Sequence, residues 1–337
     1  ANAKYFRFSV YQNVTIPQTY LEDINSVMVS FTDVDFTPFK ETIKSIGKHT
    51  IVPDFIDEEY TGLRAITDNP LAHILREPGY GSIIHHWGFI GDSLCSGEMM
   101  GGETPIDCYE YSWGQRFCKL VGVEGYCFSH GGCSTAGWLA GGTDHRNDNP
   151  PYAGGAQGGG WSVAKESGMK KQAYIIALGV NDMLAETPIG STDDYREYNP
   201  DNDTEYGPNS FCSHYMQIIN RLKYIQPNAK IFLMTTPPKG LWSYPDIDEA
   251  VRDIYEYYQD IYPDDVFLLD IASYLTADLM GGMFYLSSHG SAAGYQYFAY
   301  VVNTYIDWII RNNGVAFRRV AIDCGYPADY DNNQLDI

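Results

Sequence analysis

Between residues 83 and 271, five short apolar runs alternate with longer segments of mixed polarity. Such runs are typical of strands that are buried on both faces of a parallel sheet, and the intervening segments have the length of crossover helices. The runs are IIHHWGFIG (83–91), GYCFS (125–129), AYIIALG (173–179), KIFLMTT (230–236) and VFLLDI (266–271). The pattern predicts an α/β domain with an open, doubly wound parallel sheet of five strands.

Three segments between and after these runs have the apolar spacing of an amphipathic helix. They are NSFCSHYMQIINRLKYI (209–225), DEAVRDIYEYYQDIY (248–262) and AAGYQYFAYVVNTYIDWIIRNN (292–313). The last helix is predicted to begin just after His289. Strand and helix patterns therefore alternate along most of the chain.

The charge of the chain limits the class of partner. The formal net charge is −21, from 22 basic and 43 acidic residues. Nucleic acids and anionic membrane surfaces are bound by clustered Lys and Arg, so we expect neither as a partner. No apolar run approaches the roughly 20 residues that cross a bilayer, so we expect no membrane span.

The first 80 residues have a different pattern. KYFRFSVYQ (4–12) alternates apolar and polar residues, and INSVMVSF (24–31) is also β-prone. We therefore predict an N-terminal β-rich extension at residues 1–80 and a second domain at residues 81–337. The first strand needs a partner, which lies either within this chain or in an upstream β domain of a longer chain.

The cysteines do not form a recognisable framework. There are seven, and none forms a CxxC pair, which favours neither a disulfide scaffold nor a zinc ribbon, although one pair could still form. The chain begins ANAKYF, without the pattern of a signal peptide, which indicates a mature or an excised form. A Tyr- and Asn-rich, lysine-poor composition favours a secreted or cell-surface bacterial setting, which free cysteines fit less well.

Three polar turns with glycines follow the first three apolar runs. They are Gly91-Asp92-Ser93, His130-Gly131-Gly132-Cys133 and Gly179-Val180-Asn181-Asp182. In an open α/β sheet, ligands bind beyond the carboxyl ends of the strands. We therefore predict the active site at the edge where these turns meet.

Ser93 has two interpretations at this position. Serine attacks a carbonyl only with a nearby base and donors for the developing oxyanion, and the start of a helix after the strand would supply N–H groups and a positive dipole end. The alternative is an N-cap serine without chemistry. Asn181 could donate its amide to the oxyanion, and Gly132 could bring its N–H close, although an Asx-turn and a left-handed turn explain them equally well.

The base has to come from a histidine elsewhere in the chain. His289, in YLSSHGSAAGY, lies on a short loop after the fifth run and before the last helix, where an imidazole can meet Ser93. His130, after the second run, and His145, in a long loop, are the other histidines that could reach this edge.

A Gly-, Pro- and Asn-rich loop at residues 141–170 separates the second and third runs. Long loops in compact domains are usually functional flaps or partly disordered. We favour a flap that faces the substrate, with Tyr152 and Trp161 as its contact residues. The segment at 185–209 is similar and follows the third run.

Three blocks of sequence, in order, resemble the SGNH (GDSL-type) hydrolase family. They are GDSLCSGE from Gly91, GVND from Gly179 and HGSAAGY from His289, with a glycine turn between the first two. The resemblance covers about residues 83 to 315. It implies a three-layer, flavodoxin-like α/β/α fold and hydrolysis of esters through an acyl-serine intermediate, with no metal or organic cofactor.

Carried onto this chain, the resemblance implies Ser93 as nucleophile and His289 as base. Ser93, through its own N–H, and Asn181, through its side chain, would donate to the oxyanion. The glycine block offers Gly131 or Gly132 as the third donor, and the register of the turn favours Gly132. The substrate would be a small-molecule or glycan ester, in particular an acetyl ester of a carbohydrate.

The chain departs from the family at one position. The family usually has Asp three residues before the catalytic His, where it orients the imidazole and stabilises its charged form. Leu286 occupies that position here. Either a backbone carbonyl or a serine hydroxyl orients His289 in a Ser-His dyad, or a distant acid does so. Asp270, at the end of the fifth run, is a candidate, and capping of the strand end is its alternative role.

Two other functions are compatible with the same fold. A catalytically impaired carbohydrate-binding or structural module would account for the missing Asp. A lipase or thioesterase would use the same machinery with an apolar acyl pocket, in which each buried CH₂ contributes about 0.8 kcal/mol.

Overall fold

The computed structural model describes residues 70–71, 74–101, 104–141, 158–237, 244–275, 285–286 and 289–318. The chain divides into two units, residues 1–64 and 65–337, and the description below concerns the second. The two β-prone patterns of the predicted extension, together with His145 and Tyr152, lie outside the described residues. The predicted N-terminal domain therefore stays a prediction.

The strands in the described part of the chain are β1 His86–Gly91, β2 Met99–Gly101, β3 Thr104–Ile106, β4 Glu124–Ser129, β5 Ala173–Ala177, β6 Lys230–Met234, β7 Val266–Leu269, β8 Tyr285–Leu286 and β9 His289–Gly290. Five of them form one sheet in the order β4-β1-β5-β6-β7, and every pair is parallel. Each apolar run contains one of these strands, which confirms the predicted sheet. The run at 83–91 starts before its strand because Tyr80–Ile83 forms a 3₁₀ helix.

The α-helices described are α1 Trp113–Val121, α2 Thr135–Leu139, α3 Trp161–Ala164, α4 Val180–Leu184, α5 Phe211–Ile225, α6 Pro245–Gln259, α7 Ile271–Tyr274 and α8 Ala292–Asn312. The helices α1 and α8 pack on one face of the sheet, and α2, α5 and α6 pack on the other. The three-layer α/β/α architecture is thereby confirmed. Helix α6 starts three residues earlier than predicted because Pro245 is well suited to a first helical position.

Alternate residues of each strand serve two separate cores. In β1, Trp87 and Phe89 belong to the core under α1 and α8, whereas Ile90 belongs to the core under α5 and α6. In β5, Ile175 and Ile176 divide in the same way. Successive side chains of a strand point to opposite faces, so a strand covered on both sides must be apolar at nearly every position.

The carboxyl ends of the central strands are level. Gly91, the last residue of β1, lies opposite Ser129 of β4 and Ala177 of β5. Strand β1 lies between β4 and β5, so the chain passes from β1 to one side of the sheet and then continues on the other side. Such a switch in strand order is where α/β sheets bind ligands. The turns that follow these three strands therefore leave the sheet side by side.

The segment before the sheet is attached to the last helix. The backbone N–H groups of Leu75 and Tyr80 donate to Thr304 Oγ1 at 2.8 Å and to Asp307 Oδ1 at 2.9 Å. This end of the predicted extension thus bonds to α8. No helix in the described ranges is long and apolar enough to cross a membrane.

Two short antiparallel hairpins, β2–β3 and β8–β9, were not predicted from the sequence. Their strands have two or three residues, too few to produce an alternating pattern. The second hairpin places Leu286 opposite His289. No disulfide joins the six cysteines at described positions, which are Cys95, Cys108, Cys118, Cys127, Cys133 and Cys212.

Candidate active site

The turn after β1 positions Ser93, and it is not the start of a helix. The N–H groups of residues 95 and 96 donate to the carbonyl of Asp92 at 3.0 and 2.9 Å, and Leu94 N–H donates to the Asp92 carboxylate at 2.9 Å. Asp92 therefore closes this turn through its carbonyl and its carboxylate. Because no helix begins here, the helix dipole expected behind Ser93 is not present. The interpretation of Ser93 as an N-cap serine is wrong, because no helix begins at this turn.

Gly91 allows the turn to fold back tightly. A Cβ at this position would lie 2.3 Å from Cys95 Cβ, a distance that side chains do not tolerate. The chain then returns far enough for Glu98 N–H to donate to the carbonyl of Ser93 at 2.8 Å. The segment from Asp92 to Glu98, which we call the nucleophile turn, is thus closed by its own backbone hydrogen bonds.

The predicted nucleophile and base are in contact. Ser93 Oγ and His289 Nε2 lie 2.9 Å apart, although 196 residues separate them in the sequence. Ser93 is buried, and His289 is positioned by the β8–β9 hairpin on one side and by the start of α8 on the other. Ser291 caps that helix by accepting from Gly294 N–H at 3.1 Å.

A carboxylate that was not predicted lies next to this pair. Glu98 Oε1 is 3.1 Å from His289 Nε2, and the Glu98 side chain is only 5 % exposed. Leu286, at the position of the family's Asp, pairs with His289 through the backbone of the hairpin instead. Glu98 is the last residue of GDSLCSGE, and no local pattern in the sequence indicates that its side chain reaches His289.

Asp270, the predicted candidate acid, has a different partner. Arg252 donates to both of its carboxylate oxygens, at 2.8 and 3.0 Å, and Ser273 Oγ donates at 2.6 Å. Burial alone would raise the pKa of Asp270, but the hydrogen bonds from Arg252 and Ser273 lower it overall. Asp270 therefore stabilises the end of β7, and the acid that contacts His289 is Glu98.

Asn181 lies in the first turn of α4, between two of the predicted turns. Its amide donates to the carbonyl of Cys133 at 3.1 Å and to Asp92 Oδ2 at 3.3 Å. The neighbouring Asp182 is fully buried and accepts from the N–H and the hydroxyl of Thr135, which joins α4 to α2. Burial raises the pKa of Asp182. The sheet edge thus holds Asn181 beside the nucleophile turn, as predicted.

The turn after β4 contains the two candidate glycines. Gly131 N–H donates to Asp107 Oδ2 at 3.4 Å, and Asp107 also accepts from Ser96 Oγ in the nucleophile turn. Gly132 has a φ of +75°, a conformation that favours glycine, and is exposed. Because Asp107 engages the N–H of Gly131, Gly132 is the better candidate donor to a ligand.

Trp161 does not face a substrate site. It is 3 % exposed, and its Nε1 donates to Asp203 Oδ1 at 2.6 Å. The buried guanidinium of Arg221 lies 5.3 Å from its ring centre and pairs with the same Asp203. The prediction of a substrate contact at Trp161 is therefore wrong, because the ring helps to attach the 185–209 segment to the core.

A small pocket opens beside the nucleophile turn. Its lining residues are Asp92, Leu94, Cys95, Trp113, Ala177, Leu178, Val180, Met234, Thr235, Thr236, Pro237 and Phe298. They come from the nucleophile turn, the ends of β5 and β6, and two aromatic rings of α1 and α8. Within the described ranges, no group of three or more His, Cys, Asp or Glu side chains could hold a metal ion.

Solved structures resemble this chain at low sequence identity, whereas no family model and no curated protein matches it. A family two carbohydrate esterase from Clostridium thermocellum, in complex with cellohexaose, is 15 % identical (TM-score 0.43) over 71 % of this chain and 66 % of its own. A Corynascus thermopiles carbohydrate esterase family 2 enzyme with a carbohydrate-binding domain is 14 % identical (TM-score 0.43), over 69 % and 67 %.

A third structure, a GDSL-like lipase candidate from Bacteroides uniformis, is 16 % identical, with a TM-score of 0.43. The match covers 65 % of this chain and 93 % of that one. Carbohydrate esterases and GDSL-like lipases thus recur among these structures. This chain spans slightly less than two thirds of the Clostridium thermocellum protein. At this distance the chemistry of the site has to be derived from its own side chains.

Proposed function

We propose that this chain is a serine esterase of the SGNH type that hydrolyses small acyl esters, in particular acetyl esters of carbohydrates. The observation that supports it is the 2.9 Å contact between Ser93 Oγ and His289 Nε2, at the point where the strand order of the sheet switches. A serine becomes nucleophilic when an imidazole within hydrogen-bond distance can take its proton.

The first half of the reaction forms an acyl-enzyme. His289 Nε2 takes the proton of Ser93 Oγ while Oγ bonds to the acyl carbon, and the carbonyl oxygen becomes an oxyanion. The N–H groups of Ser93 and Gly132 and the amide of Asn181 donate to it. The bond from the acyl carbon to the alcohol oxygen then breaks, and His289 gives its proton to the departing alcohol.

The second half releases the acid. Water bonds to the acyl carbon as His289 Nε2 takes its proton, and the bond to Ser93 Oγ breaks as the proton returns to the serine. In the structure the amide of Asn181 donates to Asp92 and to Cys133. To donate to the oxyanion it would give up one of these two hydrogen bonds. That exchange couples substrate binding to the contact between the turns.

We place a short acyl group in the small pocket beside the nucleophile turn, which is lined by the neighbours of Ser93 and not by Ser93 itself. The rings of Trp113 and Phe298, with centres 5.7 Å apart, close it on one side. An acetyl group adds a single methyl to the carbonyl carbon, whereas longer chains would have to displace these buried rings. A carbohydrate as the alcohol is supported by the Asn-, Asp- and Tyr-rich 185–209 segment, which follows α4.

Hydrolysis of p-nitrophenyl acetate and release of acetate from an acetylated glycan test this function. We expect activity in the wild-type protein and none in Ser93→Ala. Ser162→Ala, at an exposed position, is the matched control and should keep full activity. Equal activity in Ser93→Ala and wild type would contradict the assignment.

A further inference from the structure

Glu98 lies where it can act on the base of the proposed reaction. Its carboxylate is 3.1 Å from the same Nε2 atom of His289 that contacts Ser93 Oγ at 2.9 Å. We propose that Glu98 is a positioning residue that stabilises the protonated imidazole formed when His289 takes the proton from Ser93. This inference rests on the proposed esterase function. In a Ser-His-Asp triad the acid stabilises the charged imidazole from Nδ1, whereas Glu98 would do so from the side of Nε2.

The backbone of Glu98 is fixed on both sides of the site. Its N–H donates to the carbonyl of Ser93, and its carbonyl accepts from Tyr295 Oη, both at 2.8 Å. Tyr295 is buried and lies in the first turns of α8, just after His289. Glu98 is therefore linked to the nucleophile and to the helix that follows the base, so its carboxylate is held near both.

The electrostatic effect follows from burial and from the order of charges in the reaction. Before attack the imidazole is neutral, and it becomes positive when the proton leaves Ser93 Oγ. A carboxylate 3.1 Å away attracts that charge, and at 5 % side-chain exposure little water screens the attraction. In this scheme the proton goes from Oγ to Nε2 and later to the alcohol, and Glu98 takes none.

The other carboxylates at this edge have different partners. Asp270 is held by both donors of Arg252, and Asp92 accepts from Leu94 N–H and from Asn181. Among these three carboxylates, Glu98 is the one that lies 3.1 Å from His289 Nε2.

Glu98→Gln tests the role because it keeps the shape of the side chain and removes its charge. We expect kcat for p-nitrophenyl acetate to fall about 10- to 100-fold, through the loss of one charge–charge attraction in a buried site. KM should change less than about threefold, and labelling of Ser93 by a fluorophosphonate should slow in the same proportion as kcat. A purely structural role would not produce this division between kcat and KM.

Two further variants complete the experiment. Glu98→Asp keeps the charge, so it should retain more activity than Glu98→Gln even though its side chain is shorter. Glu124→Gln is the matched control: Glu124 contacts His86 at 3.5 Å across the opposite end of the sheet, with its side chain 85 % exposed. It should leave kcat unchanged.

The outcomes separate this role from the proposed function. An unchanged or increased kcat in Glu98→Gln, a loss in KM alone, or less activity in Glu98→Asp than in Glu98→Gln would overturn the role of Glu98 while wild-type labelling of Ser93 still supported the esterase. Absence of both labelling and hydrolysis in the wild type would overturn the esterase and the role together. Thermal melting of each variant checks that it is folded.

Discussion

The end of β1 and the end of β7 each place a largely buried carboxylate at the same edge of the sheet. At β7, Asp270 is bound by Arg252, whose guanidinium is always charged, through two parallel hydrogen bonds. At β1, Glu98 lies beside His289, whose imidazole gains and loses a proton in the proposed reaction. The two regions have similar acids and different partners.

This difference separates a structural contact from a reactive one. An acid paired with a permanent cation keeps that partner at every stage of a reaction, so its attraction does not grow as the proton moves. An acid next to a neutral imidazole gains attraction when the imidazole is protonated, which is when the proposed reaction needs it. The partner of a carboxylate, rather than its position at the edge, therefore indicates its role.

The largest expected effect is at the β1 site. His289→Ala removes the base, and we expect kcat for p-nitrophenyl acetate to fall by at least about 10⁴-fold. The counterpart at β7, Arg252→Met, should leave kcat within about threefold, since no step of the reaction uses that pair. Steady-state kinetics on both variants test the comparison, and a comparable loss in Arg252→Met would break it.

Asn181→Ala should have the next largest effect. Removal of one oxyanion donor typically lowers kcat by about 10²- to 10³-fold with little change in KM. Asn312→Ala, at the exposed end of α8, is the control for loss of an amide and should be neutral. If KM rose and kcat did not change, Asn181 would bind the ground state instead of the oxyanion.

The sheet and the meeting of Ser93 with His289 were predictable because they depend on local patterns. Strands covered on both faces must be continuously apolar, and a level sheet edge brings together turns that are distant in sequence. Glu98 was not predictable in this way. Its position depends on how tightly the nucleophile turn closes over Gly91 and on a hydrogen bond from Tyr295, almost 200 residues away.

Two other candidate residues have different contacts in the structure, for related reasons. Trp161 was assigned to a flap from the composition of its loop, but Asp203 and Arg221 provide a buried partner for its ring. Asp270 was considered as the supporting acid because it ends a strand at the right edge. The sequence does not reveal that Arg252, in a neighbouring helix, occupies both of its oxygens.

The acyl pocket should show a smaller change. Phe298→Leu removes part of a ring that closes the pocket next to Trp113. We expect the ratio of kcat/KM for p-nitrophenyl butyrate to that for the acetate to rise about tenfold, within the range for one methylene-sized change in a pocket. An unchanged ratio would mean that the acyl chain lies elsewhere.

The smallest effect on activity is expected at Asp270. Asp270→Asn should keep kcat within about twofold and lower the free energy of unfolding at pH 7 by about 1–3 kcal/mol, through the weakened bonds to Arg252. The pKa of Asp270 is lowered in the folded protein, so its stabilising effect is present above the ordinary carboxyl pKa and disappears as the pH falls through the lowered value.

Urea unfolding of both proteins at pH 7 and at pH 3 measures this effect. The difference in stability between wild type and Asp270→Asn should shrink at the lower pH. A difference that stayed constant, together with a large loss of kcat, would show that the β7 carboxylate acts in the reaction and that the two regions are not distinct.

The central claim is that His289 activates Ser93 as a nucleophile. Mass spectrometry of the protein after treatment with a fluorophosphonate tests it directly, because the reagent bonds covalently to activated serines. We predict one adduct, on Ser93, in the wild-type protein and at least about 10³-fold slower labelling in His289→Ala. An adduct on another serine, or labelling of Ser93 at the same rate without His289, would contradict the account.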